Sequence, residues 1–134
     1  MFQVRLQTYW ADADAAGIVY FPNFFKFAEH AEEEMFRAVG EELQPLLRAS
    51  HVWLPRVEAF SKFSKPIRLG TAILVRLKPQ IKGEKTIRYD FEIVADATED
   101  HLAEGYITVV CVDAATFKST PLPDNVRQIV LQHA

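Results

Sequence analysis

One cysteine, Cys111, is all the thiol chemistry in 134 residues, which excludes an intrachain disulfide framework and fits a reducing compartment. Positive charge is not in excess: the formal net charge is −3, so nothing electrostatic marks a nucleic-acid backbone as partner. No run approaches the roughly 18 apolar residues of a membrane helix. The opening Met1-Phe2-Gln3-Val4-Arg5 has no basic segment leading into an apolar stretch, which predicts no secretory leader. The expected location is therefore the cytoplasm, with no membrane partner. His30, His51, His101 and His133 show no metal-ligand spacing with Cys111 or with one another. Internal repeats, low-complexity stretches and linkers are also missing, so one domain over residues 1–134 is expected.

What the chain does contain is ordinary for a folded domain: 49% hydrophobic and 25% charged residues. Ten phenylalanines offer large flat surfaces for a core or a pocket. Phe2, Val4, Leu6, Thr8 and Trp10 alternate with polar neighbours, the period of a strand with one buried face. Asp12 and Asp14 continue that parity, so at least one carboxylate is expected to face inward. From about Phe21 to Val39 the period lengthens. Phe24, Phe27, Ala28, Ala31, Met35 and Ala38 mark one face of a helix, with Pro22 in its first turn and Gly40 as its stop. A short helix is expected near Glu41 to Ala49.

The remainder reads mainly as strands. Val52 to Phe63 is one, with Pro55 marking an irregularity or an edge. Ile67 to Leu77 follows, then a turn at Lys82-Gly83-Glu84-Lys85, then the alternating Ile87, Tyr89, Phe91 and Ile93. Ala103 to Val112 is apolar on both parities, as expected of a central strand covered on both sides. A last short helix is expected behind a cap at Asp124. One long apolar helix and a sheet large enough to wrap it predict an α+β domain.

The stretch from Tyr9 to Phe25 carries the chemistry. A strand ends on two carboxylates, a small-residue turn follows, and a helix opens behind a proline. Amides at a helix opening have no partner within the helix and can hold an oxyanion while a carboxylate attacks or activates water. Acyl-transfer chemistry suits such a site. Read by residue type alone, an aspartate before a helix is more often a cap or turn residue. Glu29, Glu32, Glu33 and Glu34 form a run typical of a solvated helix face, although Glu29 follows Phe25 by one turn and that row can face a site. His30 reads as structural or exposed, and Cys111 as a buried, inert thiol.

The segment Asp12-Ala13-Asp14-Ala15-Ala16-Gly17-Ile18-Val19-Tyr20-Phe21-Pro22-Asn23-Phe24 closely resembles the signature loop of the 4-hydroxybenzoyl-CoA thioesterase family. The layout resembles that family's hotdog fold, a five-stranded antiparallel sheet wrapped around one long central helix. Val109-Val110-Cys111-Val112-Asp113 with Pro121-Leu122-Pro123 resembles the last strand and tail of its bacterial acyl-CoA thioesterases. The resemblance implies hydrolysis of an acyl-CoA, aromatic or otherwise bulky, to free acid and coenzyme A. Coenzyme A is then part of the substrate, and no cofactor is implied.

On the family's D-x-D-x-x-G pattern the catalytic carboxylate falls on Asp14, as nucleophile or as the base that activates water. The polarising backbone N–H falls on Phe21, and Asp12 is left as a turn or structural residue. Phe21 stands where some relatives carry histidine, which resembles the aryl-CoA branch. Glu29 corresponds to the family's substrate-side acidic residue on the helix, an aspartate there. Tyr20, Phe24 and Phe25, with Trp53, Leu54 and Pro55, are candidates to line an acyl pocket. Lys82, Lys85 and Arg88 are candidates to meet coenzyme A phosphates. The family also implies a homodimer whose sheets join, with sites at the interface, and a homotetramer built as a dimer of dimers. Two rival readings share the fold: a non-catalytic acyl-CoA or acyl-carrier-protein binding module, and a dehydratase or hydratase using His30 or Glu29.

Overall fold

A computed structural model describes residues 1–134. In chain order it contains β1 (Phe2–Gln7), α1 (Asn23–Arg37), α2 (Leu43–Ala49), β2 (Val52–Trp53), β3 (Arg56–Phe63), β4 (Ala72–Lys82), β5 (Thr86–Ala95), β6 (His101–Val110), β7 (Val112–Asp113) and α3 (Asp124–Leu131). Five strands form an antiparallel sheet in the order β1-β4-β5-β6-β3, and β2 pairs with β7 apart from it. The sheet curls around α1, which is the α+β hotdog arrangement expected.

The apolar stripe of α1 explains its place. Phe27, Ala31, Met35 and Phe36 are all but removed from solvent, packed against Ile73, Val75 and Leu77 of β4 and Ile87 and Ile93 of β5. Each large side chain buried this way contributes about 1.5–3 kcal/mol. The helix is shorter at both ends than its pattern predicts. Tyr20 to Pro22 form a preceding turn, in which Asn23 N–H reaches the Tyr20 carbonyl, and Gly40 ends the exit at φ +84°.

Four expectations are corrected. β1 stops at Gln7 because the Asp12 carboxylate accepts the Tyr9 N–H at 2.9 Å and rolls residues 10–12 into a single 3-10 turn. The alternation is lost there, and Trp10 is 84% exposed instead of buried. Glu32 is not on the solvated face of α1 but buried at 2% exposure. β6 is covered on one side only: Leu102, Ala103, Ile107 and Val109 face the core, while Glu104 lies on the open outer face. Asp124 is the first residue of α3, not its cap, since Pro123 occupies that position.

Pro55 breaks the expected strand at Val52 to Phe63 into β2 and β3, and the strand expected from Ile67 begins instead at Ala72. β3 is left at an edge of the sheet with nearly its whole length exposed, including Val57, Phe60 and Phe63. No helix is long and apolar enough to cross a membrane.

Candidate active site

The loop from Asp12 to Phe21 is built as a small hairpin docked on the segment before β4. Asp14 N–H donates to the Ile18 carbonyl at 2.9 Å, Gly17 N–H to the Asp14 carbonyl at 3.1 Å, and Tyr20 N–H to the Asp12 carbonyl at 2.9 Å. Gly17 takes φ +77° to close the turn, a conformation open to glycine at little cost. Val19 N–H to the Ile67 carbonyl, 2.7 Å, and Leu69 N–H to the Gly17 carbonyl, 3.0 Å, fasten the loop in place.

The two aspartates have opposite surroundings. Asp12 is buried, paired with Lys26 through Oδ1, and its backbone carbonyl also accepts from Asn23 Nδ2 at 2.8 Å. Burial opposes its charge, but the Lys26 ammonium and the Tyr9 N–H outweigh that and hold the carboxyl below the usual carboxylate range. Asp14 is exposed at the turn. One oxygen, Oδ1, accepts the Ala16 N–H at 2.8 Å, and Oδ2 has no partner in the chain.

At the opening of α1 the amides of Asn23, Phe24 and Phe25 are each taken by the carbonyl three residues back. Pro22 has no N–H. The Phe21 amide is left as a donor without an acceptor, where the helix dipole favours developing negative charge. Its ring lies edge-on to Phe63, with centroids 6.0 Å apart, and Phe63 in turn meets Phe24 at 4.9 Å. These three rings, with Ile18, Val19 and Lys65, line a cavity of about 250 Å3. Lys65 and Phe63 were not singled out in the sequence, where the break after β3 carries no motif.

A second cavity, of about 320 Å3, lies between α1, α2 and the β2–β3 junction, and there Glu29, Trp53, Leu54 and Pro55 come together. Its charged members are Glu29, Glu32, Glu33 and Arg56. Arg56 donates to Glu29 Oε1 at 3.0 Å, to the Leu54 carbonyl at 3.0 Å and to Glu32 Oε1. Burial pushes the Glu32 carboxyl up, and burial together with the Glu32 charge pushes the Tyr89 hydroxyl well up. Burial works against the Arg56 charge, yet the two carboxylates outweigh it. Glu32 and Arg56 were likewise missed. The signal for Glu32 was present, since it follows Ala28 by one turn on the apolar face.

The remaining candidates lie apart. Tyr20 is exposed and edge-on to Phe21, and Phe25 packs on Phe91 in the interior. Lys82 and Lys85 are at the β4–β5 tip, the other end of an 11-residue strand from the Asp14 loop, roughly 35 Å away within one chain. Lys85 reaches Ser119 Oγ at 3.2 Å. Arg88 sits on the outer face of the sheet, paired with Asp90 at 3.0 Å and 3.8 Å above the Tyr106 ring.

Known proteins share this architecture. A 1,4-dihydroxy-2-naphthoyl-CoA hydrolase from Nostoc punctiforme is 32% identical over 117 residues, 87% of this chain and 78% of that protein. One from Synechocystis is 30% identical over 91% of this chain and 88% of its own length. The crystal structure of a 1,4-dihydroxy-2-naphthoyl-CoA thioesterase from Synechocystis superposes with a TM-score of 0.91 at 28% identity, covering 97% of this chain and 95% of that one. A DHNA-CoA thioesterase from Staphylococcus aureus, at 16% identity, shares the fold with a TM-score of 0.87. The model of the thioesterase-like superfamily matches residues 8–130, and the chain belongs to that superfamily as a hotdog-fold thioesterase.

Proposed function

We propose that residues 1–134 form one thioesterase domain of the aryl-CoA branch, related to the 4-hydroxybenzoyl-CoA thioesterases, that hydrolyses an aromatic or otherwise bulky acyl-CoA to free acid and coenzyme A. The observation that carries this reading is a pair on one loop: the Asp14 carboxylate with an uncommitted oxygen, and the Phe21 N–H with no acceptor. The amide polarises the thioester carbonyl and receives its developing negative charge. Asp14 either attacks the carbonyl carbon, giving a mixed anhydride that water then opens, or takes a proton from the attacking water. The thiolate departs without an acid, so the chemistry asks for no cofactor. The relatives named for 1,4-dihydroxy-2-naphthoyl-CoA support an aromatic acyl group.

A dimer completes the site. An unpaired edge strand as exposed as β3 invites pairing with its own copy. β3 runs from the Glu29–Trp53 cavity at Arg56 to the Phe21–Phe24 cavity at Phe63. Antiparallel pairing about a two-fold axis therefore sets the first cavity of one protomer beside the second cavity and Asp14 loop of its partner. The same operation carries the hairpin tip of one protomer, with Lys82 and Lys85, to the Asp14 end of the other. There they, with Arg88 behind them, can meet coenzyme A phosphates. Two such dimers form the tetramer, and the reaction belongs in the cytoplasm, where the buried thiol of Cys111 stays reduced.

The test is turnover of a panel of acyl-CoAs by the wild type and Asp14→Asn. Hydrolysis of aryl-CoA by the wild type, and a loss of about 100-fold or more in a folded Asp14→Asn, is the expected result. Near-wild-type turnover by the variant sinks the assignment, and a lasting acyl-CoA complex without hydrolysis favours the binding-module reading.

A further inference from the structure

The loop after β7 holds a residue whose backbone and surroundings both run against its chemistry. Phe117 takes φ +59°, in the left-handed region, at a point in a hairpin loop where glycine or asparagine is the usual occupant. The loop enforces that geometry. Asp113 N–H donates to the Lys118 carbonyl at 2.9 Å and Phe117 N–H to the Asp113 carbonyl at 2.8 Å. Asp113 Oδ1 accepts the Ala115 and Thr116 N–H groups, each at 2.9 Å, and Val112 pairs with Ser119 across the loop. The Phe117 ring gains little in return, since it lies outside the hydrophobic core and is 62% exposed. What it borders is the 320 Å3 cavity, whose apolar wall it shares with Leu43, Leu47, Trp53 and Leu54. Trp53 stands on β2, the strand paired with β7, so one two-stranded ribbon brings both rings to that wall. A bulky side chain on a strained backbone, left in water at a cavity rim, costs the free chain stability and points to contact with a ligand.

We propose that Phe117 is a specificity-determining residue: its ring covers an acyl group seated in this cavity and adds affinity only for apolar groups large enough to reach it. The inference rests on the reading above, in which the cavity faces the partner's Asp14 loop and takes the acyl group. It assigns the contact to size and apolarity and asks for no polar group on the substrate. A ring that stands mostly in water in the free protein sheds that water when an apolar group lies on it, which favours binding. Its backbone is already fixed by the Asp113 loop, so covering it sacrifices less conformational freedom than ordering a mobile loop would. The contact is made with substrate and transition state alike, so it acts on KM and leaves kcat in place.

The experiment measures Tm together with kcat and KM on benzoyl-CoA and 2-naphthoyl-CoA, whose acyl groups differ in apolar size and carry no polar substituent. The proteins are the wild type, Phe117→Gly, Phe117→Asn and Phe117→Leu. Glycine and asparagine both suit the left-handed backbone, and asparagine does so without glycine's extra freedom, so an effect they share comes from losing the ring. Both should melt no more than about 5 °C below wild type, because relief of strain offsets the little packing that is lost. In both, KM for 2-naphthoyl-CoA should rise about tenfold or more and KM for benzoyl-CoA less than about threefold, with kcat within about threefold of wild type on either. Phe117→Leu, which keeps a smaller apolar side chain, should fall between. Equal changes in KM on the two substrates, an effect carried by kcat, or no change at all overturns the inference. A larger drop in Tm for both the glycine and asparagine variants also overturns it, since the ring then serves the fold. If the wild type hydrolyses neither thioester, the parent reading falls with it. If hydrolysis depends on Asp14 and the two substrates respond alike to loss of the ring, the inference alone falls.

Discussion

A Cβ added to Gly105 would stand 1.9 Å from the carbonyl oxygen of Phe60 and 2.8 Å from Ser61 Cα. No side chain fits at that distance, so β3 can lie against β6 only because position 105 has none. The edge that separates the two cavities therefore depends on one glycine in its neighbouring strand.

Gly105→Ala should accordingly cost about 3 kcal/mol or more, since backbone and not a flexible side chain must yield. Urea unfolding measures it. A loss under about 1 kcal/mol would mean that β3 moves aside freely.

The two aspartates should separate by what they lose. Asp12→Asn removes a buried charge held by Lys26 and Tyr9 and should lower stability by about 1–3 kcal/mol. Asp14→Asn, at an exposed turn, should unfold within about 0.5 kcal/mol of wild type while losing turnover. Thermal unfolding beside activity assays distinguishes them, and a reversed pattern would reassign the roles.

The same contrast has a pH signature with a definite sign. The Asp12 carboxyl is lowered in the folded state, so its contribution is present above the unfolded value near 3.8 and is lost as pH falls through the folded value. The Glu32 carboxyl is raised. Its contribution is complete below about 4.5 and is lost as pH rises through the folded value. Measured against pH, wild-type stability should therefore fall relative to Glu32→Gln on going up from pH 4.5, and fall relative to Asp12→Asn on going down from pH 4. Parallel curves would show that neither group is coupled to folding.

Charge on the open edge should dissociate the protein. Val57→Lys places an ammonium on an exposed position of β3 that touches neither cavity. Sedimentation at micromolar concentration is expected to show monomer, with kcat/KM down by about tenfold or more if each site spans two chains. A fully active monomer would place the whole site within one protomer.

Much of this was legible along the chain, for physical reasons that are local. The 3.6-residue stripe from Phe24 to Met35 specifies a helix with one apolar face, and alternation in Ile87 to Ile93 specifies a half-buried strand. Gly17 and Pro22 bracket a turn and a helix opening, so the carboxylates and free amide were visible as a motif before any packing was known.

Packing decided what local pattern could not. Parity allowed either Asp12 or Asp14 to face inward and did not choose between them; one hydrogen bond from Tyr9 to Asp12 ended the strand, and only Asp12 went in. Apart from Glu29, the acidic run on α1 looked like a solvated face. Yet Glu32 is buried because Arg56, distant in sequence, crosses beneath the helix to meet it. Lys82 and Lys85 look like any basic turn, and only the length of β4 puts them at the opposite end of the sheet from Asp14. Periodicity reports which face of one element is apolar. Which charges meet, and at which end of the sheet, depends on contacts between elements, and those exist only once the sheet has closed around α1.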